Sequence, residues 1–140
     1  MPSHRTSFHL AAPPERVFDY IADVRNETEW SKDVESVTLV GDGPVGEGTV
    51  FDATYRGFGR LQLELREYRR PEHLVFVGDG SRVRMHFTLD LQPEEGGSLV
   101  TMAADIQPHG AFRALTPVLK LGMPREMAKR PGQLAAALGV

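Results

Sequence analysis

A chain of 140 residues, 41% hydrophobic and 25% charged, is long enough for one domain that buries its own core without disulfide staples. The formal charge of −3 and the lack of any run of like charge argue against nucleic acid and anionic membrane as partners. Cysteine is absent, which excludes disulfides, thiolate catalysis and Cys-ligated metal together.

The chain opens on an alternating apolar segment, Thr6, Phe8 and Leu10, which predicts a first strand. Pro13 and Pro14 suit the first turn of a helix, where a missing N–H costs little, and Glu15 suits its positive end. Val17, Phe18 and Ile21 then fall on one helical face. Asp23 to Trp30 reads as a second short helix or helical turn, its charges facing water and Trp30 anchoring it to the sheet.

Six strand-like segments follow. Val37 to Val40 leads into GDGPVGEG, where glycine and proline forbid regular structure. Thr49 to Arg56 sets Phe51, Ala53 and Tyr55 against Asp52, Thr54 and Arg56, and Arg60 to Tyr68 sets Leu61, Leu63 and Leu65 against Gln62, Glu64 and Arg66. Leu74 to Val77 is apolar on both faces. Arg82 to Gln92 alternates Val83, Met85, Phe87, Leu89 and Leu91 with polar residues, and Leu99 to Ile106 follows the PEEGG turn. Period-two patterning over successive short-linked strands predicts an antiparallel sheet wet on one face. On that wet face Glu64, Arg66, Arg82 and Arg84 are expected to pair across strands.

At the C-terminal end Phe112, Leu115, Leu119, Met123, Met127, Leu134 and Leu138 recur at the spacing of one helical face. Pro117, Pro124 and Pro131 interrupt that stripe, and an interior proline costs ~3 kcal/mol or more. The stripe stays in phase across all three, so one kinked helix is preferred to three pieces. Missing backbone bonds would make local opening of this helix cheap, which lets it act as a gate.

Together these features resemble the START-like, or SRPBCC, superfamily, and within it the polyketide cyclase/dehydrase branch. The residues that carry the resemblance are Pro14, Val17, Phe18, Asp23, Trp30, the GGSLVT hairpin (Gly96, Gly97, Ser98, Val100, Thr101) and Pro117. The resemblance covers nearly the whole chain, residues 1–140 as one domain. It implies an α+β helix-grip fold: a curved antiparallel sheet of about seven strands, two short helices after strand 1, and a long, proline-kinked C-terminal helix over an apolar cavity. Members bind lipids, polyketides or other hydrophobic molecules, and a minority catalyse cyclisation, dehydration or hydrolysis.

Inward strand faces and the helical stripe nominate ligand-contacting walls: Phe51, Tyr55, Leu63, Phe76, Met85 and Phe87 on the strand side, with Met102, Phe112, Leu115, Leu119 and Met123 completing them. Tyr55 carries a hydroxyl on an apolar face, which a buried tyrosine pairs with a partner. Asp105 and His109, at the junction of last strand and helix, are the other candidates for acid–base work at a cavity mouth. The five histidines share no HExxH spacing, no GxSxG elbow is present, and GDGPVGEG lacks a P-loop lysine. The reading therefore names no metal and no cofactor. No stretch approaches ~20 apolar residues and the start lacks a signal-peptide run, so a cytoplasmic protein without membrane insertion is expected, as monomer or homodimer. Three functions remain: binding of a hydrophobic small molecule, a cyclase/dehydratase using a pocket Tyr or Asp, and a protein-interaction module without a ligand.

Overall fold

The computed structural model describes residues 3–140. The first strand, β1 (Ser3–Leu10), is followed by helix α1 (Pro14–Ala22), a 3-10 turn (Val24–Asn26) and the single-turn helix α2 (Glu27–Trp30). Six strands come next: β2 (Val34–Val40), β3 (Val50–Tyr55), β4 (Gly59–Arg69), β5 (His73–Gly80), β6 (Val83–Glu94) and β7 (Gly97–Pro108). A second 3-10 segment (Gly110–Leu115) leads into helix α3 (Thr116–Leu138).

All neighbouring strands are antiparallel, in the order β1-β7-β6-β5-β4-β3-β2, so β2 to β7 form a meander that β1 closes from the far side. Register slips between Val34 and Ser36 and between Leu65 and Glu67 bend the sheet. Its concave face carries the residues that alternation assigned to it: Phe51, Ala53 and Tyr55 on β3 and Leu61, Leu63 and Leu65 on β4 are all buried. Val75 and Val77 are buried as well, although they face outward among Glu64, Glu67, His86 and Thr88 of the adjoining strands.

Two features of the sequence have direct steric causes. A Cβ on Gly97 would stand 1.9 Å from the Leu10 carbonyl oxygen, so only glycine lets β7 begin beside the end of β1. The next residue, Ser98, is fully buried and its hydroxyl donates to the Ala12 carbonyl at 2.6 Å, tying the hairpin to the start of α1. β5 also runs three residues beyond Val77, because Gly78 admits Leu63: a Cβ there would lie 2.6 Å from Leu63 Cδ2. Glycine is depleted in strands generally, which hid this extension from the sequence pattern.

Helix α3 is continuous, and two expectations about it are corrected. Pro117 does not interrupt it but occupies its first turn, where no hydrogen bond is lost. Phe112 and Leu115 precede it, in the 3-10 segment. Pro124 and Pro131 do lie inside the helix. They are seven residues apart and so share a face, on which Pro124 is exposed and Pro131 half-buried. The adjacent stripe, Met123, Met127, Leu134 and Leu138, is buried. Arg16 of α1 donates to the Leu138 carbonyl and fixes the far end of the helix against the domain.

The polar sheet face also differs in detail. Glu64 and Arg66 pair along their own strand at 2.8 Å, not across strands. Arg82 lies over the Phe112 ring, 5.4 Å from its centroid. Cross-strand pairs on this side are Arg60 with Asp52 at 2.9 Å and His73 with Asp90 at 2.7 Å. None of the described helices is long and apolar enough to cross a membrane.

Candidate functional site

Sheet and α3 do not meet across their whole length. Between them lies a cavity of about 370 Å³, in the range typical of small-molecule sites. Its floor is the concave sheet: Leu63, Phe76, Met85 and Phe87, then Met102, Ala104 and Ile106 of β7. Its roof is α3, through Leu119, Gly122, Met123 and Met127, and one side is formed by Ile21, Val24 and Trp30. Most of this wall is carbon and sulfur, which accepts apolar guests without fixing their shape.

One end is different. Tyr55 points inward from the last residue of β3, and its hydroxyl donates to Glu27 Oε2 at 2.9 Å. Burial, first, and then the adjacent Glu27 charge hold the Tyr55 hydroxyl well above its ordinary value near 10, so it is a proton donor throughout the physiological range. Burial likewise raises the Glu27 carboxyl from its ordinary 4.5. The Tyr55 hydrogen bond and the nearby Arg130 oppose that rise, while Asp33 adds to it. Arg130 comes from α3, stacks 5.0 Å from the Trp30 ring centroid and donates to Gln133 at 3.1 Å. Near the same end Tyr20 bonds Glu29 at 3.2 Å, and burial pushes its hydroxyl up to about 12. Asp23 stays below the usual carboxylate range because Arg25 binds it at 2.8 Å.

Among the residues nominated from sequence, Tyr55, Leu63, Phe76, Met85, Phe87, Met102, Leu119 and Met123 all line this hollow. Three do not. Phe51 is fully buried core, its ring set edge-on to Phe76 at 6.4 Å, and Phe112 and Leu115 lie on the 3-10 segment outside the cavity. Asp105 is not at a cavity mouth: it sits between Ala104 and Ile106, which line the cavity, so its side chain faces the other way. His109 is likewise outside, with Asp79 as its nearest carboxylate at 3.7 Å, and it forms no pair with Asp105.

The expectation that the charges of 23–30 face water fails at Glu27, and Trp30 meets Arg130 of α3 rather than serving only to anchor its helix to the sheet. Both had a signal in the sequence. Val24, Glu27 and Trp30 are three apart and share a helical face, so an apolar anchor at 30 brings 27 inward with it. Arg130 falls three residues after Met127 on the buried stripe for the same reason. No group of three or more His, Asp or Glu side chains that would suit a metal ion occurs among the described residues.

A bent sheet gripping one long helix around an apolar hollow defines a helix-grip, START-like domain. The sequence model of the family described as "Polyketide cyclase / dehydrase and lipid transport" matches residues 1–139, and the chain belongs to that family. Solved structures agree in fold. A START superfamily protein from Mycobacterium smegmatis superposes with a TM-score of 0.78 at 9% identity, covering 98% of this chain and 97% of that one. Protein BH1534 from Bacillus halodurans gives 0.74 at 19% identity, covering 99% and 97%. Ara h 8.0201 gives 0.68 at 16%, covering 98% and 94%. No curated protein matches the chain.

Proposed function

We propose that this protein binds a hydrophobic small molecule, lipid-, polyketide- or aromatic-like, in the cavity between sheet and α3. The observation that carries the reading is the hollow itself, about 370 Å³ walled by four methionines, Met85, Met102, Met123 and Met127, and by aromatic and aliphatic side chains. Native interiors are close-packed, so space of this size in a core is a feature with a use. Affinity comes from burial, at ~0.8 kcal/mol for each enclosed CH₂, and few hydrogen bonds are needed. A solid core with a contiguous exposed apolar patch would favour the interaction-module reading, and the hollow counts against it.

Titration with N-phenyl-1-naphthylamine, a neutral apolar fluorophore, tests this. Saturable 1:1 enhancement is expected, and it should be lost in Ala104→Leu, which adds carbon on the cavity floor, once circular dichroism shows that variant folded. Enhancement that grows linearly without saturation would count against the reading.

A second reading, cyclase or dehydratase chemistry, is favoured by one specific observation: a carboxyl and a phenol in contact at the cavity end, the carboxyl able to exchange a proton and the phenol to donate a hydrogen bond to a substrate oxygen. It demands turnover that both Glu27→Gln and Tyr55→Phe abolish. Binding without conversion of a co-purified ligand, followed by native mass spectrometry, leaves the first reading alone.

A further inference from the structure

We propose that Glu27 is the polar anchor of the cavity, and that the ligand it selects is an apolar molecule carrying one hydrogen-bond donor, an alcohol, phenol or amine, rather than a fatty-acid-like anion. This deepens the binding function proposed above and rests on it.

The geometry supplies three reasons. First, Glu27 Oε2 is taken by the Tyr55 hydroxyl, while Oε1 has no hydrogen-bond partner among the described residues and is not sealed from accessible space. An ionised carboxylate offers about four acceptor sites and no donor, so what it lacks is a donor. Second, the charged groups at the cavity wall are Asp23, Glu27, Asp33 and Glu126 against Arg56 and Arg130; Asp23 and Glu126 are paired with Arg25 and Lys129, so the wall carries no net positive charge to attract a ligand carboxylate. Arg130 is moreover engaged with the Trp30 ring and Gln133. Third, aromatic side chains share the cavity wall with the anchor: Trp30, Tyr20, Tyr55 and Phe58. Such faces accommodate a cationic or neutral donor head and repel an anion.

A half-buried carboxylate held against a buried phenol is also a poor choice for stability alone. Replacing a buried polar pair with apolar groups of similar shape is often neutral or favourable, so a pair retained inside a hollow is there for what enters it.

The test uses four probes of one size, read by displacement of N-phenyl-1-naphthylamine: 2-naphthalenemethanol, 2-naphthalenemethylamine, 2-ethylnaphthalene and 2-naphthoate. Wild type is expected to bind the alcohol or the amine roughly tenfold more tightly than the hydrocarbon, the factor a hydrogen bond to a charged group gives. The naphthoate is expected to bind most weakly. The alcohol and amine arms separate a neutral donor from a cationic one. In the double variant Glu27→Met/Tyr55→Phe, which leaves no orphaned partner, alcohol, amine and hydrocarbon should bind within about twofold of each other. Equal binding of alcohol, amine and hydrocarbon by wild type, or naphthoate binding tightest, overturns the anchor and leaves the cavity reading intact. So does a preference that survives in the double variant. Failure of every probe to displace the fluorophore, or of the fluorophore to saturate, brings down the cavity reading and the anchor with it. Should the double variant not fold, the wild-type comparison among the four probes decides alone.

Discussion

Replacing Tyr55 by Phe removes one oxygen atom and isolates the physics of the cavity's polar end. In the wild type that hydroxyl donates at 2.9 Å to the half-buried Glu27 carboxylate. A hydrogen bond to a charged group is worth about 1.5–3 kcal/mol, and its loss leaves the half-buried Glu27 without that donor. Unfolding entropy is about 2.1 cal/mol/K per residue, so in a chain of 140 residues a loss of about 2 kcal/mol lowers Tm by about 7 °C.

The pH dependence carries the sharper test. Burial raises the folded-state value of Glu27 above its ordinary 4.5, so between those two values the native state binds more protons than the unfolded one. Stability from this group is therefore complete below 4.5 and is lost as pH rises through the folded value. Arg130 opposes the rise and Asp33 adds to it, and neither is changed by the substitution. Removing the donor to the ionised form lifts the folded value further. The Tm deficit of Tyr55→Phe should thus be about 7 °C at pH 8 but only about 3 °C at pH 4, where a neutral hydrogen bond worth about 1 kcal/mol is all that is lost. Thermal unfolding followed by circular dichroism measures both. Equal deficits at the two pH values would refute the reasoning, as would a deficit under 1 °C at pH 8.

Other outcomes follow from backbone and helix. Gly122 and Gly132 lie in α3 with open space where a Cβ would sit, so Gly122→Ala and Gly132→Ala should each raise stability by about 0.5–1 kcal/mol in urea unfolding; a loss would show hidden crowding. Gly97→Ala drives a methyl into the Leu10 carbonyl and should cost ~3 kcal/mol or more, seen as a collapse of the folded yield; wild-type stability would contradict the close approach of β1 and β7. Amides of α3 should exchange with deuterium faster than those of β4 to β7, because Pro124 and Pro131 remove bonds from its ladder; equal protection would exclude the helix as a gate.

Much of the fold was legible because burial wrote itself into the chain with period two and period 3.6. Leu61, Leu63 and Leu65, or Met123 and Met127, announce their faces with no other information. What alternation could not reveal was where a face stops being packed. Phe51 and Phe76 look alike in the sequence, yet Phe51 is sealed in the core and Phe76 borders the hollow, and only the curvature of the sheet separates them. Asp105 and His109 were misplaced because proximity along the chain was taken for proximity to the cavity, when the two-residue period of β7 turns Asp105 away. Glu27 was overlooked because a charged residue in a single helical turn defaults to solvent. Its partnership with Tyr55 joins α2 to β3 over 28 positions, and no local pattern encodes such a contact.

The central claim is that an apolar guest enters between sheet and α3. Four of the five methionines, Met85, Met102, Met123 and Met127, stand on that wall and report on it directly through their methyl groups. Methyl NMR of methionine-labelled protein, titrated with N-phenyl-1-naphthylamine, should move all four resonances together along one saturable curve. If they stay fixed up to the solubility limit of the probe, the cavity admits no guest and the account is wrong.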